Sequence, residues 1–189
     1  GPMVLLGGEL TGATLGLVGF GRIGKAVARR ALGFNMRVIY YDPQESKSYP
    51  ELNAERVDFE TLLAESDYVS LHTPLTPDTR YLIDAEAFSK MKPNAVLVNT
   101  ARGPVVDPQA LYEVLKEKRI FGAGLDVTEP EPLPLDSPLL SLDNIVITPH
   151  IASGSTATRA QMAWMAAQNL IAGVRGKPLQ NCVNPQVYK

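Results

Sequence analysis

Short runs of consecutive apolar residues alternate along this chain with segments whose apolar positions recur every three or four residues. Those are the periodicities of buried parallel strands and of the helices that cover them. Thr14–Val18 reads as a first strand, and Arg22–Leu32 as the helix after it, with Ile23, Val27 and Ala31 at helical spacing and Gly33 as a left-handed cap. Asn35–Tyr41 is the second strand, and 43–52, polar and holding two prolines, is a loop. Arg56-Val57 is a short strand, Phe59–Ser66 a helix, and Tyr68–Leu71 a strand whose pairing stops where Pro74 and Pro77 enter. Asp84 caps a short helix through Met91, and the continuous apolar run Ala95–Asn99 predicts a strand buried on both faces. Asp107, with Pro108 at the first helical position, opens a helix to about Lys118. Gly122–Asp126 is a strand of small residues, and Asn144–Thr148 is the last strand. Between them, Pro130, Pro132, Pro134 and Pro138 stiffen an extended loop. A long helix, Thr156–Val174, groups Met162, Met165, Ala166, Asn169 and Leu170 on one side.

Strands alternating with helices predict a single α/β domain of the doubly wound Rossmann type, a parallel sheet joined by right-handed crossovers with helices on both faces. In such sheets ligands bind beyond the carboxyl ends of the strands. Asp42, His72, Arg102, Asp126 and His150 all fall at those ends. One edge of the sheet therefore collects the chemistry-bearing side chains.

At the first of those ends, Gly19, Gly21 and Gly24 fit G-x-G-x-x-G. The first glycine makes the tight turn, the second lets a pyrophosphate approach the backbone and the third lets helix pack on strand, while the helix N-terminus supplies amide donors. A glycine triplet alone is weak evidence. The second strand adds weight, because it ends in Asp42, 18 residues past Gly24, near the offset of an acid that hydrogen-bonds the adenosine ribose.

Composition narrows the reading further. At 189 residues, 45% hydrophobic and 20% charged, the chain suits one domain with a proper core. A net charge of -2 gives no footing for nucleic acid or an anionic membrane surface. The single cysteine, Cys182, has no partner for a disulfide or a metal site, so no metal is expected and a cytoplasmic location is the default. No apolar run reaches the length of a bilayer span, and no signal-peptide layout opens the chain. Gly1-Pro2-Met3 has the form of a remnant left by tag cleavage.

The residue types at the sheet edge suggest acid-base chemistry on an anion. Arg102 has no nearby acid in sequence and could hold a carboxylate or polarise a carbonyl, although arginines at strand ends are ordinarily just solvated. His150 could exchange a proton near neutral pH, with either Glu129 or Glu131 orienting its ring; residue chemistry alone does not choose between them. Asp126 could accept from an amide, and His72 reads as structural or cofactor-facing rather than catalytic.

Five stretches in order carry a resemblance: Gly19 to Gly24, His72 to Thr79, Val98 to Gly103, Gly124 to Pro132, and Pro149 to Ala152. Together they resemble the D-isomer-specific 2-hydroxyacid dehydrogenases over Leu10 to about Gly176. The run from Asp126 to Pro134 is most similar to glyoxylate/hydroxypyruvate reductases, with phosphoglycerate dehydrogenases next. The resemblance implies catalytic roles for Arg102, Glu131 and His150 in reducing a 2-oxo acid to a D-2-hydroxy acid. It implies a cofactor site of Gly19, Gly21, Arg22, Ile23, Gly24, Asp42, Pro43, His72, Thr73, Pro74, Thr79, Thr100, Ala101, Arg102, Asp126, His150 and Ala152. NAD is expected over NADP, because Asp42 repels a 2'-phosphate and no arginine follows it closely in sequence.

Members of that family carry a substrate domain before this point, so the chain is expected to be an isolated cofactor domain, 10–176, with lead-in 1–9 and tail 177–189. It should bind dinucleotide and turn substrate over poorly; the parent protein is expected to be a homodimer and this chain a monomer. The family resemblance also leaves room for an NAD-sensing, non-enzymatic corepressor-like protein. The identity of the 2-hydroxy acid is not legible in these residues.

Overall fold

A computed structural model describes residues 7–44 and 49–188, so Gly1-Pro2-Met3 and its expected origin lie outside the described residues. The chain falls into two compact units, Gly1–His150 and Ile151–Lys189.

The first unit is built on a seven-stranded sheet: β1 (Thr14–Val18), β2 (Arg37–Tyr41), β3 (Ala54–Arg56), β4 (Tyr68–Leu71), β5 (Val96–Asn99), β6 (Gly122–Leu125) and β7 (Ile145–Ile147). Their order is β3-β2-β1-β4-β5-β6-β7, and each neighbouring pair is parallel. The chain winds outward from β1 to β3, returns to β4 beside β1, and winds the other way to β7. The reversal between β1 and β4 leaves a crevice at their carboxyl ends, where such sheets bind ligands.

Alternation along β1 shows how the two faces are served. Leu15 and Leu17 pack with Ala28 and Ala31 of helix α1 (Arg22–Ala31) and with Val38 and Tyr40. Val18, on the other face, joins Leu62, Leu63, Phe88, Leu111 and Leu115 from α2 (Phe59–Glu65), α3 (Ala85–Lys90) and α4 (Pro108–Lys116). Gly16 has no room for a side chain on that face: a Cβ would lie 2.1 Å from Ser66 Oγ. Each fully buried side chain of leucine size, such as Leu17 or Leu97, contributes about 1.5–3 kcal/mol.

Two expectations are corrected. Gly33 is not the left-handed cap: α1 passes into a 3-10 turn, Leu32–Phe34, and Asn35 takes the positive φ of 53°. Asparagine tolerates that conformation because its short polar side chain bonds locally, and β2 consequently starts at Arg37. Nor is β5 buried on both faces, since Val96 and Val98 are only half-buried. They border a hollow of about 660 Å³ with Pro93, Phe121 and Val146, because α2, α3 and α4 all cover the opposite face.

In the second unit, α5 (Thr156–Val174) is capped by Ser155, whose Oγ accepts from the Thr158 amide at 3.1 Å. Asn169 and Asn181 exchange two 3.2 Å hydrogen bonds that fold the following segment back on the helix. No helix among the described residues is long and apolar enough to cross a membrane.

Aspartates start three helices of the first unit. Asp58, Asp84 and Asp107 each accept from amides of the first turn, Asp107 from both Gln109 (2.9 Å) and Ala110 (3.3 Å). Replacing Asp107 with alanine is expected to cost about 1 kcal/mol, read as a lower urea midpoint with unchanged m-value.

Candidate functional site

The crevice is formed by the turn after β1 and the strand end after β4. His72 N–H donates to Val18 O at 2.7 Å, drawing the two ends together. Gly19 sits in the contact with φ 94°, and a Cβ there would meet the His72 carbonyl at 2.8 Å and the Thr73 amide nitrogen at 2.9 Å. Both the conformation and the clearance exclude other residues. At Gly24 a Cβ would lie 2.3 Å from Gly19 O, so α1 lies directly against the turn. Gly21, between them, faces open space, with nothing within 4 Å of where a Cβ would project. Arg22 and Ile23, in the first turn of α1, are both exposed. The backbone thus offers a clear approach at a helix N-terminus, which is what a pyrophosphate requires.

Asp42 lies at the end of β2, beside the glycine turn. Its Oδ2 accepts from Phe20 N–H at 2.8 Å and its Oδ1 from Gln44 N–H at 2.9 Å, which fixes the carboxylate against the glycine turn. Pro43 lies in the bend between these contacts. Below the turn, Phe20 stacks on Tyr40 with ring centroids 3.8 Å apart, and Lys25 Nζ hydrogen-bonds the Tyr49 hydroxyl.

His72 is braced by Ser70 Oγ, 3.0 Å from its Nε2. Burial pushes its imidazole down to about 4 from the usual 6.5, so it stays neutral at physiological pH and supports the crevice without acting as an acid. Thr79 Oγ1 donates to Pro74 O at 2.7 Å and accepts from Thr76 N–H at 2.7 Å. Thr79 therefore ties the loop that carries Thr73 and Pro74.

A histidine–carboxylate pair and Arg102 gather at the ends of β5, β6 and β7. His150 Nδ1 lies 2.7 Å from Glu131 Oε1, and Glu131 Oε2 accepts from Thr128 N–H at 3.3 Å. The His150 bond holds the Glu131 carboxyl below the usual carboxylate range against the opposing effect of burial, with smaller help from the Thr128 amide and from the His150 and Arg102 charges. Glu129 is engaged elsewhere, in a 2.7 Å ion pair with Arg80. Glu131 is thus the histidine's carboxylate neighbour. His150 has a positive φ of 54° and donates its amide to Asp126 O at 2.9 Å. A non-glycine residue held there stores backbone strain of the kind found at functional positions.

Three residues that sequence reasoning passed over hold this group in place. Buried Asn99 accepts from Ala101 N–H at 3.0 Å and donates to Arg102 O at 2.9 Å, so it shapes the Thr100-Ala101-Arg102 turn. Gly103 brings that turn onto the Thr128 backbone, where a Cβ would lie 1.9 Å from Thr128 O. Thr148 Oγ1 donates to Asp126 Oδ1 at 2.6 Å and fixes that buried carboxylate. Asn99 and Gly103 stood inside a recognised stretch, but only their contacts reveal the bracing. Arg102 itself is exposed, with Nη1 on Ala101 O at 2.6 Å.

A cavity of about 550 Å³ adjoins the pair, lined by Asp126, Glu131, Leu133, Leu140, Ile147 and His150. The larger hollow beside Val146 holds none of the candidate residues. Ala152 belongs to the second unit.

A parallel sheet that reverses between β1 and β4, with a glycine turn at the reversal and an acid at the end of β2, defines a dinucleotide-binding domain of the Rossmann class. The D-isomer specific 2-hydroxyacid dehydrogenase NAD binding domain matches residues 2–152, and the chain belongs to that family. It is 56% identical over 189 residues to the glyoxylate reductase of Korarchaeum cryptofilum, covering all of this chain and 57% of that protein. The chain spans a little over half the length of the curated relatives it matches. The crystal structure of the TT0316 protein from Thermus thermophilus superposes with a TM-score of 0.91 at 52% identity, over 97% of this chain and 57% of that one. An acyclic imino acid reductase solved with NADPH and D-Arg superposes with a TM-score of 0.83 at 38% identity, over 92% of this chain and 55% of that one.

Because His72 is kept neutral by burial, the folded state resists a proton that the unfolded chain accepts. Its contribution to stability is complete above pH 6.5 and is lost as pH falls toward 4. The stability gap between the wild type and a His72→Asn variant is expected to narrow by as much as about 3 kcal/mol over that window, measured by urea unfolding at a series of pH values. A gap independent of pH would show that His72 is not buried as a neutral imidazole.

Proposed function

We propose that this chain is the cofactor-binding part of an enzyme that reduces a 2-oxo acid of the glyoxylate or hydroxypyruvate type to a D-2-hydroxy acid. The observation that carries the reading is the 2.7 Å Glu131–His150 contact at the same sheet edge as the Gly19 turn. The clear approach at Gly21 and the fixed Asp42 carboxylate fit a nicotinamide dinucleotide. When bound, that cofactor supplies a hydride to the substrate carbonyl carbon.

The chain's own residues do the rest. Arg102, a permanent cation on a short braced turn, holds the substrate carboxylate and draws electron density toward the carbonyl oxygen. His150, protonated, gives a proton from Nε2 to that oxygen as charge develops on it. Glu131 accepts from Nδ1, which keeps the ring oriented with Nε2 free to face the substrate. Asp126, fixed by Thr148 and joined through its carbonyl to the His150 amide, would accept from the cofactor's carboxamide. NAD is favoured over NADP, because Asp42 accepts from ribose hydroxyls and opposes a 2'-phosphate.

His150 and Glu131 remain 53% and 41% exposed. A general acid so open to water works with little of the advantage an enclosed site provides, so turnover by this chain alone should be slow while cofactor binding is intact.

Titration of NADH into the protein, followed by its fluorescence, should saturate. Mixing that complex with excess hydroxypyruvate should oxidise NADH slowly, and a His150→Gln variant should lower the rate by about 10²- to 10⁴-fold. Oxidation as fast in the variant as in the parent would remove His150 from the chemistry. An NAD-sensing binding protein would bind NADH with no oxidation in either form.

A further inference from the structure

Asp42 favours NAD, and no arginine lies close to it in sequence to soften that preference. The fold supplies one. Arg56, the last residue of β3, is paired in register with Tyr40, and its Nη2 donates to Asp42 O at 2.9 Å. A cation fourteen residues away in sequence is thus brought to the corner where β2 ends. That bond uses one of the five N–H donors of the guanidinium. Arg56 is exposed and, among the described residues, has no carboxylate within ion-pair distance. The neighbouring acid Glu55 is already engaged by Arg37 at 3.0 Å, and Arg37 also holds Glu65 at 2.5 Å.

Two opposite charges therefore flank the adenosine corner. The Asp42 carboxylate is held by the Phe20 and Gln44 amides, and the Arg56 guanidinium donates to the carbonyl of the same residue. A ribose hydroxyl meets the carboxylate as an acceptor. A 2'-phosphate is repelled by that carboxylate but finds in Arg56 a planar cation suited to a phosphate.

We propose that Arg56 is a cofactor-specificity residue that lets this site accept NADPH as a second ligand beside NADH. The proposal rests on the dinucleotide reading above. Arg56 offsets the repulsion from Asp42, so discrimination against the 2'-phosphate is partial and depends on a single exposed cation. Screening follows: added salt weakens NADPH binding more than NADH binding.

The test is a pair of fluorescence titrations, NADH and NADPH, on the wild type and on Arg56→Gln and Arg56→Lys, with circular dichroism confirming that the variants fold. The wild type should bind both. Arg56→Gln should weaken NADPH by roughly tenfold, the scale of one hydrogen bond to a charged group, and change NADH by less than about twofold. Arg56→Lys, which keeps the charge and loses the fork, should fall between them. Equal loss for both cofactors, no loss for either, or no NADPH binding by the wild type would overturn the role of Arg56 while leaving the NADH site intact. Failure of the wild type to bind NADH would overturn the dinucleotide reading beneath it.

Discussion

The approach of two backbones at the carboxyl ends of β1 and β4 is the constraint on which the site depends. His72 donates to Val18 O, and Gly19 lies so near the His72 carbonyl that no Cβ fits between them. From that contact the rest of the crevice follows in order. The positive φ of Gly19 turns the chain upward, Gly24 lets α1 lie against the turn, and Gly21 stays open at the helix N-terminus. Asp42 is then locked to Phe20, which places a carboxylate one strand away from the amides that would receive phosphate. Burial of His72 in its neutral form keeps the support of this turn free of charge.

The second half of the site is held mainly by backbone and short side chains. Asp126 N–H donates to Asn99 O at 2.9 Å, His150 N–H donates to Asp126 O, and Asn99 closes the turn before Arg102. Gly103 in contact with Thr128 brings the arginine turn to the loop that carries Glu131. Three strand ends thereby present a cation, a carboxylate and an imidazole without any of the three being buried. The hydrogen bonds that order these ends lie beneath them, in Asn99, Asp126 and Thr148, a division expected of a site that must be ordered and still reachable.

Strand identities, the parallel sheet and the glycine turn were legible because each rests on a local signal: apolar runs, an aspartate before a helix, a glycine where φ must be positive. Asp84 and Asp107 show this well, each capping the helix that follows it. Signals that depend on what lies across space were not legible. Gly33 was the candidate cap, and the 3-10 turn moves the left-handed residue to Asn35. The apolar run of β5 says nothing about which face its covering helices occupy, and Val96 and Val98 remain half-covered. Glu129 and Glu131 are equivalent as letters; an ion pair to Arg80 removes one, and a hydrogen bond to His150 selects the other. Arg56 was invisible for the same reason, since only strand pairing carries it to Asp42.

Everything proposed for this chain requires the glycine turn to be the place where a dinucleotide meets it. Backbone amide spectra of the isotope-labelled protein, recorded by NMR as NADH is added, test that directly. The largest shifts are expected at Gly21, Arg22 and Ile23, with further shifts at Phe20 and at the amides after Asp42. Shifts confined to the hollow beside Phe121 and Val146, with the glycine-turn amides unmoved, would contradict it.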